Sequence, residues 1–302
     1  MTNRKVVGLG LCVMDETYLV DGFAENALRT RYHTRHVAPG GMMATATAQA
    51  ATLGIRTELL SMVGDDAEGR EIVSALRGHG VVTRRVVRSE EQPTTVALVL
   101  VDEATRDRRL LVPDRRSLEE SAPDFDLSGL TKNTVLLIDG HFPKQAMRAV
   151  RRANEIGATV VGDFHSPRPA YLELLPHVDF PILPREFGEA WHGGTPTETL
   201  FALQEEFGGS PVLTLGEQGA LAWVAGEIVE IPTRRVRAKD TTGAGDVFHG
   251  AFAAGKCMNF STIESLHLAS RAAAMCCTAF GGMGRLLRPD EISYRPAGRS
   301  RR

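Results

Sequence analysis

The stretch Asp240-Thr241-Thr242-Gly243-Ala244-Gly245-Asp246 decides how this chain is read. It opens an apolar segment, residues 247–258, that reads as a helix. The small residues at 243–245 leave backbone N–H groups uncovered where that helix begins. Uncovered amides and the positive end of a helix dipole together make an anion site, most often one for phosphate. Asp246 sits one step inside the first turn. A carboxylate there stabilises the dipole mildly, but beside a bound phosphate it repels. The combination makes sense if Asp246 takes the proton of a hydroxyl that attacks the phosphate. An anion cradle with a base at its rim points to phosphoryl transfer, with Gly243, Ala244 and Gly245 as the expected backbone donors. Thr241 and Thr242 stand where a helix cap and a ligand contact are equally natural.

Outward from this stretch, short apolar runs alternate with helix-like runs. Residues 6–13, 57–63, 134–138, 159–164, 179–183 and 211–215 are strand-like, and 42–53, 67–79, 143–156 and 197–207 are helix-like. This βαβα order predicts one α/β domain over 1–302, with a mostly parallel sheet covered on both faces. Ligands then lie beyond the carboxyl ends of the strands. Two stretches break the alternation: 18–20 with 29–37, and 94–101 with 108–112. They alternate or are β-branched with no helix between them, and predict a small accessory sheet within 15–37 and 94–112.

A chain of 302 residues can hold one large α/β domain or two small ones. Its 43% hydrophobic and 24% charged content is ordinary for a globular protein. The net charge of −2 gives no electrostatic case for nucleic acid or an anionic membrane as partner. The first apolar run is too short, and too soon broken by Asp15, for a signal peptide or membrane span; the expected compartment is the cytoplasm. Cys12, Cys257, Cys276 and Cys277 form no CxxC pair, so they read as buried thiols and not as a zinc site or disulfide framework. The basic tail, 295–302, is expected to be loose and not catalytic.

Other positions carry chemistry. Asp15 follows the first strand at its carboxyl end, where a carboxylate can accept two hydroxyl hydrogen bonds. Pro39-Gly40-Gly41 permits close approach of backbone to a ligand. Thr214, Gly216 and Gly219 form a strand-then-turn that suits either a nucleotide or a plain hairpin. His141 and His165 each follow a predicted strand, as pocket residues or as ordinary loop histidines, and Asp163 can orient substrate or phosphates. Two decoys fail. Gly8-Leu9-Gly10 lacks the third glycine of a dinucleotide fingerprint, and Gly250 to Cys257 is one residue short of a P-loop and lies inside a predicted helix.

With Met62-Val63-Gly64-Asp65-Asp66, Gly69 and Thr214-Leu215-Gly216-Glu217-Gln218-Gly219, these motifs fall in the order of one known family. Over residues 5–290 the chain resembles the PfkB (ribokinase-like) family of sugar and nucleoside kinases. The resemblance implies a ribokinase-like three-layer α/β sandwich with a small β-sheet lid over the sugar site, and a homodimer formed through that lid. It implies ATP and Mg²⁺, with direct transfer of the γ-phosphoryl to a sugar hydroxymethyl oxygen. On this reading Asp246 is the general base, and Asp15, Gly40, Gly41 and Thr45 hold the sugar. Thr45 stands where many members carry Asn. Thr214, Gly216, Gly219, Thr241 and Thr242 serve ATP. Glu186 fits the end of the Asn-x-x-Glu motif that organises Mg²⁺ through water, although the Asn position is Leu183. Asp240 and Thr242 mark where many relatives bind a monovalent cation such as K⁺.

Val13-Met14-Asp15 and Gly245-Asp246-Val247-Phe248-His249-Gly250 resemble the sulfofructose kinase branch, which implies positive charge at the substrate. Arg29, Arg31, His33 and Arg35 share a face if 29–36 is a strand. Arg106, Arg108, Arg109, Arg115 and Arg116 add charge nearby, with Arg109 and His141 the candidate substrate contacts. A solvated lid face or a dimer rim explains these charges equally. The branch places an arginine where this chain has Gly140-His141-Phe142. Two alternatives stand beside a sugar kinase: a nucleoside kinase with a base pocket from Tyr18, Phe23 and Tyr32, and a sugar sensor without turnover.

Overall fold

Val6 and Val7 are adjacent and fully buried, yet they belong to different cores. Leu136 and Leu137 are divided in the same way. Side chains alternate across a strand, so a strand apolar at every position must be covered on both faces. The computed structural model describes residues 3–23, 29–105, 108–114 and 116–292. In it the chain runs β1 (Lys5–Leu9), β2 (Val13–Val20), β3 (Tyr32–Gly40), α1 (Met42–Thr52), β4 (Thr57–Gly64), α2 (Ala67–Gly78), β5 (Val81–Ser89), β6 (Val96–Asp102) and β7 (Arg108–Leu111). It continues through α3 (Arg116–Ser121), β8 (Thr134–Ile138), α4 (Pro143–Glu155), β9 (Thr159–Asp163), α5 (Pro169–Leu174), β10 (Phe180–Pro184), α6 (Arg185–Trp191) and α7 (Pro196–Phe207). The last elements are β11 (Val212–Thr214), β12 (Ala220–Val224), β13 (Glu227–Ile231), α8 (Ala244–Cys257) and α9 (Thr262–Cys276).

The large sheet has the order β13-β12-β11-β10-β9-β8-β1-β4-β5. From β11 to β5 all neighbours are parallel, and β12 and β13 close one edge antiparallel. One core packs the sheet against α1, α2, α8 and α9, the other against α4 to α7. The second sheet, β3-β2-β6-β7, is the expected lid. Its strands β2 and β6 run parallel, with β3 and β7 antiparallel outside them. The layers and the small sheet are those of the ribokinase-like α/β sandwich.

Two expectations need correction. Residues 6–13 are not one strand: the chain leaves the large sheet after Leu9 and enters the lid at Val13. A side chain at Gly10 would collide with the Asp139 carboxyl, so the break is where β1 yields room to that acid. Asp15 is therefore inside a lid strand, paired with Ala38 and Ala97, and not at the end of β1. In addition, β5 extends the large sheet where the sequence pattern showed no strand, because Arg84, Arg85 and Arg88 interrupt its apolar run.

The glycines of the false P-loop serve packing. A Cβ at Gly250 would strike the Ala46 carbonyl, so α8 and α1 touch backbone to backbone there. Helix α1 is also tied to the far end of the chain. The Gln49 amide donates to the Leu287 carbonyl at 3.0 Å and accepts from the Leu287 N–H at 2.9 Å, both buried. Cys12, Cys257 and Cys276 are buried thiols, as expected, whereas Cys277 is only half-buried. Among the described residues no helix is long and apolar enough to cross a membrane.

Candidate active site

Helix α8 begins at Ala244, with Gly243 as its cap residue at φ 74°. That left-handed conformation favours glycine, and a side chain at Gly243 would also run into Gly282. The cap position thus belongs to a glycine, and neither Thr241 nor Thr242 occupies it. Thr242 instead donates its N–H and hydroxyl to Asp240 Oδ1, at 2.9 and 2.7 Å. Asp240 Oδ2 accepts the Gly281 N–H at 2.9 Å, which fastens the loop before α8 to the turn after α9. The Cys276 thiol, pushed up to about 12 by burial, points at the Thr242 and Gly282 carbonyls from below.

This scaffold leaves amides over. The Ala244 N–H reaches the Thr241 carbonyl at 3.3 Å and the Val247 N–H the Gly243 carbonyl at 2.9 Å. Between them, the N–H groups of Gly245 and Asp246 have no backbone acceptor among the described residues. Of the expected donors Gly243, Ala244 and Gly245, only Ala244 has a backbone acceptor among the described residues, and Asp246 adds a further uncovered amide. A side chain at Gly245 would meet nothing within 4 Å, so the space above this turn is open.

Asp246 occupies the third position of α8 and faces acids from three other elements. Asp139 follows β8 directly and is fully buried. It accepts the N–H groups of Leu11 at 2.7 Å and His141 at 2.9 Å. Asp163 ends β9 and is 5% exposed. Asp15 comes from β2, its carboxyl lying against Gly40, where a side chain would displace it. Burial first, and then Asp240, pushes Asp15 up to about 7. Asp163 lies well above the usual carboxylate range through burial and the nearby Asp139. Asp246 is raised too, by burial first and then Asp163, with Asp15 and Asp139 adding and His249 opposing. Burial and like charge both favour the protonated acid, so each of these groups is a stronger base than a surface carboxylate.

The sugar-side candidates converge on this rim. Gly41, at φ 97°, caps α1, and a side chain there would press on the Leu11 carbonyl at 2.7 Å. Thr45, buried in the first turn of α1, lies against Gly243 and Gly282. His141 is buried beside Asp139, stacks with the exposed His165 at 5.7 Å and faces the Tyr171 hydroxyl at 3.4 Å. Arg109 does not join them. It sits on β7, level with Tyr18 and two strands from β2, which is about 10 Å sideways. Its guanidinium covers the Phe23 ring at 4.5 Å. Arg106 and Arg115 lie outside the described residues, as does the 295–302 tail. Two other basic residues of the lid meet lid acids: Arg35 pairs with Glu16 at 2.9 Å, and His33 Nε2 lies 2.8 Å from Glu103. Nor do 29–36 form one strand, since β3 starts at Tyr32.

The nucleotide-side candidates lie along the same edge of the sheet. Thr214 ends β11, and the turn from Gly216 to Gln218, at φ 59° on Gly216, leads to Gly219 and β12. Glu186 is exposed in the first turn of α6, just past the end of β10, whereas Leu183 is buried in the core. Among the described residues no three His, Cys, Asp or Glu side chains gather as a metal cage. A single exposed carboxylate fits Mg²⁺, which keeps most of its waters and leans on substrate phosphates. Asp139 and His249 escaped the sequence reading. Asp139-Gly140 at a strand end was the available signal for the first, and the i, i+3 spacing from Asp246 for the second.

Comparison with known proteins shows the fold and the family. The chain is similar to the ribokinase of Bacillus subtilis, at 25% identity over 96% of this chain and 98% of that one. A structure from E. coli solved with ATP and Mg²⁺ superposes with a TM-score of 0.82 at 23% identity, covering 96% of this chain and 97% of that one. Arabidopsis thaliana ribokinase complexed with ribose and ATP gives 0.79 at 20% identity, covering 97% and 98%. The profile of the pfkB family carbohydrate kinases matches residues 3–287, and the chain belongs to that family of phosphotransferases.

Proposed function

We propose that the chain transfers the γ-phosphoryl of ATP to a hydroxymethyl group of an uncharged sugar, with Asp246 as general base. The observation that carries this is the first turn of α8, where two amides without backbone acceptors adjoin a carboxylate of raised basicity. Amides aimed at the transferring group stabilise charge that grows in the transition state. A base of raised pKa takes the hydroxyl proton more readily. Asp15, Gly40, Gly41, Thr45 and His141 surround the place of the sugar, and the Thr214–Gly219 turn with Thr241 serves the nucleotide. Mg²⁺, held near Glu186 through water, would neutralise phosphate charge. Asp240 and Thr242 would border a K⁺ ion, whose role would be to stiffen the loop before α8.

The substrate class follows from the rim. Asp15, Asp139, Asp163 and Asp240 line or back the site, and Arg35 and His33 are already paired with lid acids. A sulfonate or phosphate on the sugar would meet like charge at this rim, so neutral pentoses and hexoses fit best. The names of the Bacillus and Arabidopsis relatives support a sugar of this kind. Exposed Tyr32, Leu110 and Leu111 on the lid support its use as a homodimer contact.

The test is ADP release with Mg-ATP across ribose, fructose, 2-keto-3-deoxygluconate, tagatose and fructose phosphates, sulfofructose and adenosine. Turnover on a neutral sugar that vanishes in Asp246→Ala is expected. Turnover only on an anionic sugar would overturn the substrate class, and unchanged turnover in Asp246→Ala would remove that residue from the mechanism. Sugar binding without product would favour a sensor.

A further inference from the structure

His249 lies one turn along α8 from Gly245, 3% exposed, directly behind the proposed base. Three acceptors surround its ring. Nδ1 is 2.7 Å from the Gly245 carbonyl oxygen and 3.2 Å from Asp163 Oδ2. Nε2 is 3.0 Å from the Ile182 carbonyl oxygen. Carbonyl oxygens only accept, and a neutral imidazole carries one N–H. In either neutral tautomer one ring nitrogen would direct its lone pair at a carbonyl lone pair, and a buried acceptor would lose its donor. Only the ring with both nitrogens protonated satisfies Gly245 and Ile182 together. Asp163 Oδ2 is buried and makes no hydrogen bond, and His249 stands against it as an ion-pair contact.

The charges point the same way. The groups that face Asp246 are Asp15 from β2, Asp139 beyond β8, Asp163 from β9 and His249 on its own helix. Asp240 stands behind Asp15, and the neutral Cys276 thiol lies under the loop. Of the side chains facing Asp246, only His249 can be positive. Burial lowers the ring's pKa on balance, and the Gly245, Ile182 and Gly162 carbonyls and Asp246 oppose it; the two carbonyls held at hydrogen-bond distance, one on each nitrogen, decide for the charged ring. An unpaired buried donor or acceptor is expensive, and here three acceptors converge on one ring.

We propose that His249 is a positioning residue held as an imidazolium, which fixes the Gly245 carbonyl in the first turn of α8 and offsets Asp163. Its charge thereby sets how strongly Asp246 holds a proton, a step that rests on the reading of Asp246 as the base. Without that charge, Asp246 would hold its proton to higher pH and be idle as a base over more of the neutral range.

Two measurements test this, and they fail separately. In ¹⁵N-histidine-labelled protein, a two-bond ¹H–¹⁵N spectrum at pH 7 reports both nitrogens of each ring, and His249→Asn identifies the signal. Both nitrogens protonated is the expected result; one bare nitrogen overturns the proposal whether or not the protein has activity. The second readout is the acid limb of kcat/KM on the sugar that turns over. His249→Asn and His249→Leu should move it up by about one to two pH units, and Asp163→Asn should move it down. His249→Asn retains a donor and should keep the melting temperature, which separates charge from folding. A limb that stays fixed in all three variants overturns the charge role. An inactive protein with both nitrogens protonated would count against the kinase reading and leave the imidazolium standing.

Discussion

Glu58 and Asp163 are buried carboxylates at opposite ends of the same parallel sheet, and their surroundings are inverted. Glu58, 1% exposed near the amino end of β4, meets Lys5 at 3.1 Å, Arg56 at 3.3 Å, Arg84 at 3.6 Å and Arg85 at 3.7 Å. Burial pushes its pKa up, but Lys5 and then the arginines outweigh this and hold it below the usual range. Asp163, at the carboxyl end of β9, has other acids for neighbours and is raised. One end of the sheet has charges compensated for stability. The other concentrates like charge at a cost, which is the pattern of a working site.

The comparison breaks most sharply at Asp246. Asp246→Ala should keep the fold and lose roughly 10²–10⁴-fold in turnover, read as ADP release. Glu58→Ala should do the reverse. Leaving Lys5 without its partner, and Arg85 with only Asp126, should cost about 3–5 kcal/mol in denaturant unfolding, with kcat of the folded fraction unchanged. A drop in kcat there would mean that the two ends are coupled.

Two glycines sharpen the contrast within the rim itself. Gly243→Ala must enter the left-handed region and push against Gly282, and should destabilise by about 1–3 kcal/mol. Gly245→Val points into open space, so its melting temperature should stay near that of the parent while kcat falls by about 10²-fold through a crowded cradle. Equal thermal loss in both would contradict the open space above 245.

The smallest effect is a pH dependence of opposite sign at the two ends. Glu58 is lowered on folding, so its stabilisation is present above the unfolded pKa and lost as pH falls through the lower folded value. Asp15 and Asp246 are raised, so their contribution is complete below the unfolded pKa and lost as pH rises through the folded value, about 7 for Asp15. Asp246→Asn should therefore raise the melting temperature slightly at pH 8 and not at pH 4, while abolishing turnover. A variant less stable at pH 8 would show that the acid at 246 also has a structural partner.

The Asp240–Asp246 stretch was legible because its chemistry is local: backbone, cap position and base lie within one helical turn. The alternation of strands and helices was legible for the same reason. What sequence could not show was assembled at long range. Asp139, Asp163 and His249 meet only because β8, β9 and α8 converge, and no spacing along the chain encodes that. The split of residues 6–13 was hidden because both halves are apolar, one facing the large sheet and one the lid. The lid arginines misled for the converse reason. Charge on a strand marks a face, but Arg35 and His33 were matched by Glu16 and Glu103 from neighbouring segments, and Arg109 turned to Phe23.

The paired hydrogen bonds between Gln49 and Leu287 span 238 residues. Helix α1, which carries Thr45, is thus completed by chain made 238 residues later. At about 5–20 residues per second, the first sheet strands wait tens of seconds for the segment that locks α1 in place. A nascent chain that has not reached Leu287 therefore lacks both of these ties on α1, and Thr45 waits on them with the rest of the helix.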